Sequence, residues 1–133
     1  MTSHAELATG RWRAFTLAEQ LGHVGSEVDR AIAAWEAQRH DRFDKALARA
    51  LELFDLTARD DRWRGHRRRE ILRSREEFCR LFFDDHPSPG AARTLSEYFL
   101  RFAVLARRRS SLGPASRSTG SNDTRLGSAT PPP

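Results

Sequence analysis

Residues 16–35 read TLAEQLGHVGSEVDRAIAAW and carry the clearest helical pattern of the chain. Thr16 followed by Glu19 has the spacing of a capping box, in which each side chain accepts a hydrogen bond from a backbone N–H at the start of a helix. Apolar side chains then recur every three or four residues and form one continuous stripe. The pattern predicts an amphipathic helix over about residues 17–38. The stripe consists of Leu17, Leu21, Val24, Val28, Ile32 and Trp35.

Three more amphipathic helices follow in the sequence. The second is predicted to begin near Asp41, the third after a cap at Asp60 or Asp61, and the fourth at Thr94. The first connections are only a few residues long, which favours antiparallel neighbours. The sequence therefore predicts an all-α protein whose residues 16–109 form an antiparallel four-helix bundle.

The two ends of the chain differ from this central region. Residues 1–15 are predicted to be a flexible N-terminal segment. From residue 110 to residue 133, Ser, Gly, Thr and Pro dominate, and such a composition cannot bury enough apolar surface to fold. Residues 110–133 are therefore predicted to be a disordered tail.

Two glycines interrupt the first predicted helix. Gly22 and Gly25 lie on one side of it together with Ala18. Each glycine costs roughly 1 kcal/mol relative to alanine in an exposed helix interior. Small residues on one side predict that another backbone approaches closely there, and the alternative is that the glycines are merely tolerated.

Positive charge is concentrated in one segment. The formal net charge is +5, but residues 1–61 carry 8 basic and 11 acidic side chains, a net of −3, whereas residues 62–75 carry seven arginines against Glu70, a net of +6. On a helix with 100° per residue, an outer row of arginines falls within about 20° of one line. We expect this row to contact the phosphates of RNA or DNA, the alternative being an ordinary solvated face. The row consists of Arg62, Arg69, Arg73 and Arg80.

Two tryptophans stand between arginines. Trp12 lies between Arg11 and Arg13, and Trp63 lies between Arg62 and Arg64. An aromatic ring beside guanidinium groups can stack on unpaired bases. Trp63 is therefore added to the predicted nucleic-acid contacts, although such a tryptophan also covers the end of a helical bundle in many proteins.

A second set of arginines in the third predicted helix lies on its core side: Arg64, Arg68 and Arg75. Of these, Arg75 is flanked by apolar residues one turn away in either direction, so its burial requires a carboxylate partner. Asp55 on the second helix and Glu27 on the first are the candidates. We expect a structural ion pair.

Leu100 and Val104 predict an interface for self-association. By the helical period they point away from the core stripe of the fourth helix, about 140° and 180° from Leu95. An apolar i, i+4 pair on an otherwise charged helix indicates a second buried face. The alternatives are scattered surface apolar residues and cover from the tail.

No convincing catalytic set emerges from the sequence. Arg80 and His86 have the Arg-x5-His spacing of HEPN-type ribonucleases, which would use them on the phosphate and the 2′-hydroxyl. His23 and Glu27 have the i, i+4 spacing of a helical metal-ligand pair, but a second pair is lacking. No cofactor or metal is expected, and Cys79, the only cysteine, excludes an internal disulfide.

The apolar runs are too short for a membrane span, and a bacterial-type cytoplasm is the expected location.

Four stretches of the chain belong together: Leu17–Val28, Arg49–Thr57, Arg69–Cys79 and Tyr98–Phe102. They resemble a family of small, uncharacterised bacterial helical proteins. They span much of residues 17–105, and the resemblance implies no known activity or site residue. In architecture and size the chain is also similar to the four-helix-bundle group of ribosomal RNA intervening-sequence proteins and the accessory variability determinant (Avd) of diversity-generating retroelements. That second likeness implies a basic oligomer associated with nucleic acid, without a shared motif.

The sequence as a whole predicts a non-enzymatic, oligomeric adaptor that binds RNA or DNA through its third helix. An HEPN-like ribonuclease using Arg80 and His86 is one alternative. A protein-only assembly factor, in which the arginines serve solubility and ion pairing, is the other.

Overall fold

The computed structural model describes the backbone of residues 10–122 and the side chains of residues 10–109. Across this part of the chain the protein is all-α, and no strand occurs in it. A helical turn at residues 10–13 precedes four longer helices. We number these α1 (Leu17–Glu36), α2 (His40–Ala58), α3 (His66–Phe83) and α4 (Ala91–Asn122).

The start of α1 confirms the predicted capping box. The Glu19 backbone N–H donates to Thr16 Oγ1 at 3.1 Å, and the Thr16 N–H donates to Glu19 Oε1 at 2.8 Å. Both bonds satisfy backbone donors that the first turn of a helix leaves without partners.

Two helix starts differ from the predictions. α3 begins at His66 after Gly65, whose φ is +59°, so neither Asp60 nor Asp61 caps it. α4 begins at Ala91 after Gly90, whose φ is +78°, which places Thr94 inside the helix. In both cases the residue before the helix is a glycine with a positive φ, and other residues rarely adopt this backbone conformation.

The apolar faces of the helices meet in one core. Contacts join α1 to α2 and α4, and join α3 to α2 and α4. The largest buried aromatic residues come from three different helices: Phe54 packs on Phe78 and Phe99 with ring centroids 5.8 Å apart in each case. A core shared in this way fixes the position of α3 and of the charged face it turns outward.

α1 and α4 approach each other closely at the two glycines. A Cβ atom on Gly25 would lie 2.5 Å from Phe99 Cβ, and one on Gly22 would lie 3.2 Å from Ala103 Cα. One turn further along, Ser96 Oγ donates to Asp29 Oδ1 at 2.7 Å. These contacts run in opposite order along the two helices. They confirm the prediction that another backbone packs against the glycine side of the first helix.

The predicted flexible and disordered ends only partly fall within the described residues. Residues 10–15 pack against the helices, and Trp12 is buried at 7% exposure in the core. The structure continues α4 to Asn122, past the domain boundary predicted at residue 110. Residues 1–9 and 123–133 lie outside the described residues.

Candidate nucleic-acid interface

Part of the predicted arginine row lies on the outer face of α3. Arg69, Arg73 and Arg80 are all exposed, at positions that the helical period places along one line. Residues 66–75 of α3 carry Arg67, Arg68, Arg69, Arg73 and Arg75 against Glu70, so 5 − 1 gives a net charge of +4. The first half of α3 is therefore a positive surface.

Arg62 does not belong to this row. It lies in the connection before α3, and its guanidinium binds the buried carboxylate of Asp60 through Nη2 at 2.6 Å and Nε at 3.0 Å. Nη2 also donates to the Phe15 carbonyl at 2.9 Å. These hydrogen bonds lower the pKa of Asp60 well below its ordinary value and raise that of Arg62. The prediction that Arg62 shares the helical row was wrong, because the helix starts four residues later.

Trp63 is held in the same network. Its indole Nε1 donates to Gln20 Oε1 at 2.7 Å, and the Arg62 guanidinium lies over its ring, 4.7 Å from the centroid. The ring is half-buried. A ring already covered by a guanidinium has one face fewer for a base to stack on, so the structure gives Trp63 a structural role in the connection between α2 and α3.

Trp12 covers the same end of the protein. Its Nε1 donates to the buried hydroxyl of Thr57 at 3.0 Å, and its carbonyl accepts from Gln20 Nε2 at 2.9 Å. Of the two interpretations of this tryptophan, the cover at the end of the helices is therefore confirmed.

The remaining members of the row differ in their ion pairing. Arg80 Nη2 lies 3.0 Å from Oε2 of Glu76, which is one turn earlier in the helix. Within the described residues, Arg69 and Arg73 make no ion pair: Glu76 pairs with Arg80, and Glu77 pairs with neither of them. Arg69 and Arg73, one turn apart, are thus the two members whose positive charge is not balanced by a carboxylate.

The predicted structural ion pair exists but lies at the surface. Arg75 Nε is 3.1 Å from Asp55 Oδ1, with the side chains 35% and 50% exposed. Glu27 pairs with Arg30 instead, at 2.6 Å. The expectation that Arg75 is buried was wrong, and an exposed pair of this kind contributes about 0–1 kcal/mol.

The two residues of the ribonuclease alternative lie on different parts of the chain. Arg80 is on α3 and is bound to Glu76, whereas exposed His86 follows the helix and its backbone N–H donates to Asp84 Oδ1 at 3.3 Å. His23 packs its ring against Phe15, with centroids 4.8 Å apart. In the part of the chain that the structure describes, no group of three His, Cys, Asp or Glu side chains is placed to hold a metal ion.

The predicted self-association face is only partly exposed. Leu100 is 55% exposed, but Val104 is half-buried. Leu105, which the sequence did not single out, is 45% exposed. Leu100 is therefore the main apolar group that this face offers to a partner.

A second positive surface, in the groove between α1 and α2, was missed at the sequence level. Residues 1–61 have a net negative charge, yet Arg42, Lys45 and Arg49 all line this groove. Their spacing of i, i+3 and i+7 places them on one face of α2. This spacing could have indicated the second positive surface from the sequence. The net charge summed over residues 1–61 is negative and concealed it.

No protein-family model matches the chain, and no match is found among curated proteins or among solved structures. Within residues 10–122, no helix combines the length and the apolar character that crossing a membrane requires. The site must therefore be interpreted from its own residues.

Proposed function

We propose that the protein is a non-enzymatic, self-associating adaptor of the bacterial cytoplasm, an antiparallel four-helix bundle that binds RNA or DNA through α3. The observation that carries the proposal is the pair Arg69 and Arg73, exposed one turn apart without a carboxylate partner among the described residues. They lie about 6 Å apart along the helix and point to the same side, so both can face the phosphates of one nucleic-acid strand.

The contacts that support this function are phosphate contacts. Exposed arginines on one face of a helix neutralise phosphates and release their counterions, which gives affinity without sequence readout. Arg67 is exposed beside the pair and extends the positive surface, while Arg80 contributes less because Glu76 already binds it. Arg62 and Trp63 support the surface indirectly by holding the connection that leads into α3.

Replacing the unpaired arginines should weaken nucleic-acid binding. In Arg69→Gln/Arg73→Gln, two phosphate contacts are lost, so affinity for a mixed-sequence duplex at low salt should fall about tenfold or more. The slope of log K against log salt concentration should flatten by about 1.8, at 0.9 per phosphate. Fluorescence anisotropy over a salt series measures both, and circular dichroism checks that the helices remain.

The matched control removes the same charge elsewhere. Arg13→Gln/Arg93→Gln also lowers the net charge by two, at residues that pair with Asp61 and Glu97. It should leave most of the salt dependence in place. An equal loss in both variants would show that only net charge matters, and a parent that binds no nucleic acid at low salt would overturn the proposal in favour of a protein-only assembly factor.

Self-association is expected to depend on Leu100. Light scattering should show an oligomer of the parent at micromolar concentration, and Leu100→Glu should shift it toward the monomer because a carboxylate cannot be buried unpaired in an apolar contact. Leu72→Glu is the control, since Leu72 is also exposed, at 46%, but lies on α3 and not on α4. A parent that stays monomeric at high micromolar concentration refutes the interface, whatever the variants do.

A further inference from the structure

A groove with a volume of about 740 Å³ runs between α1 and α2. One face of α1 and one face of α2 form its walls, and the turn that joins the two helices closes one end. The groove is lined by Glu27, Arg30, Ala33, Ala34, Ala37, Arg39, Arg42, Lys45, Ala46 and Arg49.

The floor of this α1–α2 groove consists of alanines. Ala34 and Ala46 are buried at 7% exposure, while Ala33 and Ala37 are exposed. All apolar residues that line the groove are alanines, so the helices leave a recess that larger apolar side chains from outside can fill. Such a recess favours an occupant with its own row of large apolar groups.

The rim of the groove is positively charged. It carries five cationic side chains against Glu27 alone, so 5 − 1 gives a net of +4. Glu27 is already bound to Arg30, and Arg49 pairs with Glu52. Within the described residues the other three cations make no ion pair. These three are Arg39, Arg42 and Lys45.

Two acidic residues of α1 and α2 are engaged with other helices: Asp29 accepts a hydrogen bond from Ser96 on α4, and Asp55 pairs with Arg75 on α3. Glu36, Asp41 and Asp44 are exposed, but none of them lines the groove or forms an ion pair with a rim cation within the described residues. The rim therefore keeps a net positive charge that an acidic partner can complement.

The length of the groove indicates a helical occupant. A second cavity of about 530 Å³ shares Glu27, Arg30 and Arg49 with the first and continues it to His23. From Ala37 to His23 along α1 is 14 residues, or about 21 Å at 1.5 Å per residue. That distance matches a partner helix of about four turns.

We propose that the α1–α2 groove binds an amphipathic helix of a partner protein. The apolar side chains of that helix fill the alanine floor, and the acidic side chains flanking them pair with Arg39, Arg42 and Lys45. This is the helix-in-groove mode of recognition, with charge complementarity setting the partner class. It adds a protein partner to the nucleic-acid surface on α3 and does not depend on that surface.

Two other occupants fit the groove less well. Nucleic acid would place its bases over alanines in the first cavity, and the aromatic rings that line the second, Trp12 and Phe15, already pack on each other with centroids 5.6 Å apart. A second copy of this chain would offer the exposed Leu100 side of α4, where the acidic Glu97 already pairs with Arg93 and Arg101 is basic like the groove rim. Like charges meeting across such a contact oppose association.

A designed peptide tests the groove. The probe is a labelled, helix-stabilised 16-residue peptide with leucines at i, i+3, i+4 and i+7 and glutamates on both flanks. We expect it to bind the parent at low salt with a Kd below about 100 μM, as measured by fluorescence anisotropy. Arg42→Glu/Lys45→Glu should weaken binding at least tenfold, because two of the three unpaired rim charges are reversed.

Two further variants separate the contributions. Ala33→Leu fills the exposed floor with no change in charge, and it should also weaken peptide binding severalfold. The control Arg69→Glu/Arg73→Glu reverses the same number of charges on α3 and should leave peptide binding within about twofold while abolishing nucleic-acid binding. This control keeps failure of the groove distinguishable from failure of the α3 surface.

The outcomes that overturn the inference are specific. If the parent does not bind the peptide at 1 mM protein (about ten times the expected Kd), the groove is not a helix site. The same conclusion follows if Arg42→Glu/Lys45→Glu binds as tightly as the parent. If a 16-nucleotide single strand binds in a manner that depends on Arg42 and Lys45, and displaces the peptide, the groove is a nucleic-acid site instead.

Discussion

Asp60→Ala should lower the free energy of unfolding by about 3 kcal/mol, the largest effect that we expect from a single substitution here. Breaking a buried ion pair by removing one partner costs about 3–5 kcal/mol, and the lower end applies because Arg62 is 43% exposed. The Asp60 side chain itself is only 2% exposed. Urea denaturation monitored by circular dichroism measures the loss.

The reason for so large an effect is the number of donors that converge on this carboxylate. Two guanidinium nitrogens of Arg62, Nε and Nη2, donate to it, the Arg62 backbone N–H donates at 3.1 Å, and Gln20 Nε2 donates at 3.1 Å. Gln20 is fully buried, so its amide would be left with a donor facing a cavity. An unsatisfied buried polar group costs about 1–3 kcal/mol by itself.

Asp61→Ala is the matched control for this substitution. Asp61 is the next residue, but its side chain is 70% exposed and pairs with Arg13, which is 50% exposed. Such a surface pair contributes about 0–1 kcal/mol. Similar losses for Asp60→Ala and Asp61→Ala would contradict the role assigned to the buried carboxylate.

The pH dependence of stability gives a second test of Asp60. The hydrogen bonds from Arg62 hold the folded-state pKa of Asp60 well below its ordinary value, whereas the unfolded value is about 3.9. As the pH falls, the unfolded state therefore takes up this proton first. The contribution is complete above about pH 5 and is lost progressively below it. Between pH 5 and pH 2 the parent should lose stability more steeply than Asp60→Asn, and equal slopes would contradict this account.

The same carboxylate explains why the start of α3 could not be read from the sequence. An aspartate before an apolar pattern indicates a helix cap, and the local sequence favoured Asp60 or Asp61. In the structure Asp60 instead accepts a hydrogen bond from Gln20, 40 residues earlier, and Gln20 in turn binds Trp63. Long-range partners of this kind leave no periodic signal, so the helix was predicted to start too early and Arg62 was placed on the wrong face.

The features that could be predicted are those that depend on local spacing. The capping box at Thr16 needs only two residues three positions apart, and the outer row on α3 needs only the helical period from Arg69 to Arg80. The groove between α1 and α2 needs the relative position of two helices as well. Local periodicity therefore predicted the exposed face of α3, whereas the second positive surface required tertiary packing.

The close approach of α1 and α4 leads to the last prediction. Gly25→Ala should destabilise the protein by about 2 kcal/mol, although alanine favours a helix over glycine by roughly 1 kcal/mol. The added Cβ would lie 2.5 Å from Phe99 Cβ and 3.2 Å from Phe99 Cγ, distances that require one helix to move. Overpacking of a filled core costs about 1–3 kcal/mol and occasionally more, which exceeds the gain in helix propensity.

The geometry of this contact gives Phe99 no simple way to move away from the added Cβ. Phe99 Cβ is fixed to the backbone of α4, so a change of rotamer cannot move it away. The ring is 2% exposed and packs on Phe54 and Tyr98, which resist a shift of the helix.

Gly22→Ala is the control: its added Cβ would meet Ala103 Cα at 3.2 Å, a tight contact at a half-buried position. There the gain in propensity and the steric cost should nearly cancel, leaving stability within about 1 kcal/mol of the parent. If thermal and urea unfolding found Gly25→Ala more stable than the parent, helix propensity would outweigh the contact, and α4 could not lie against α1 at this distance.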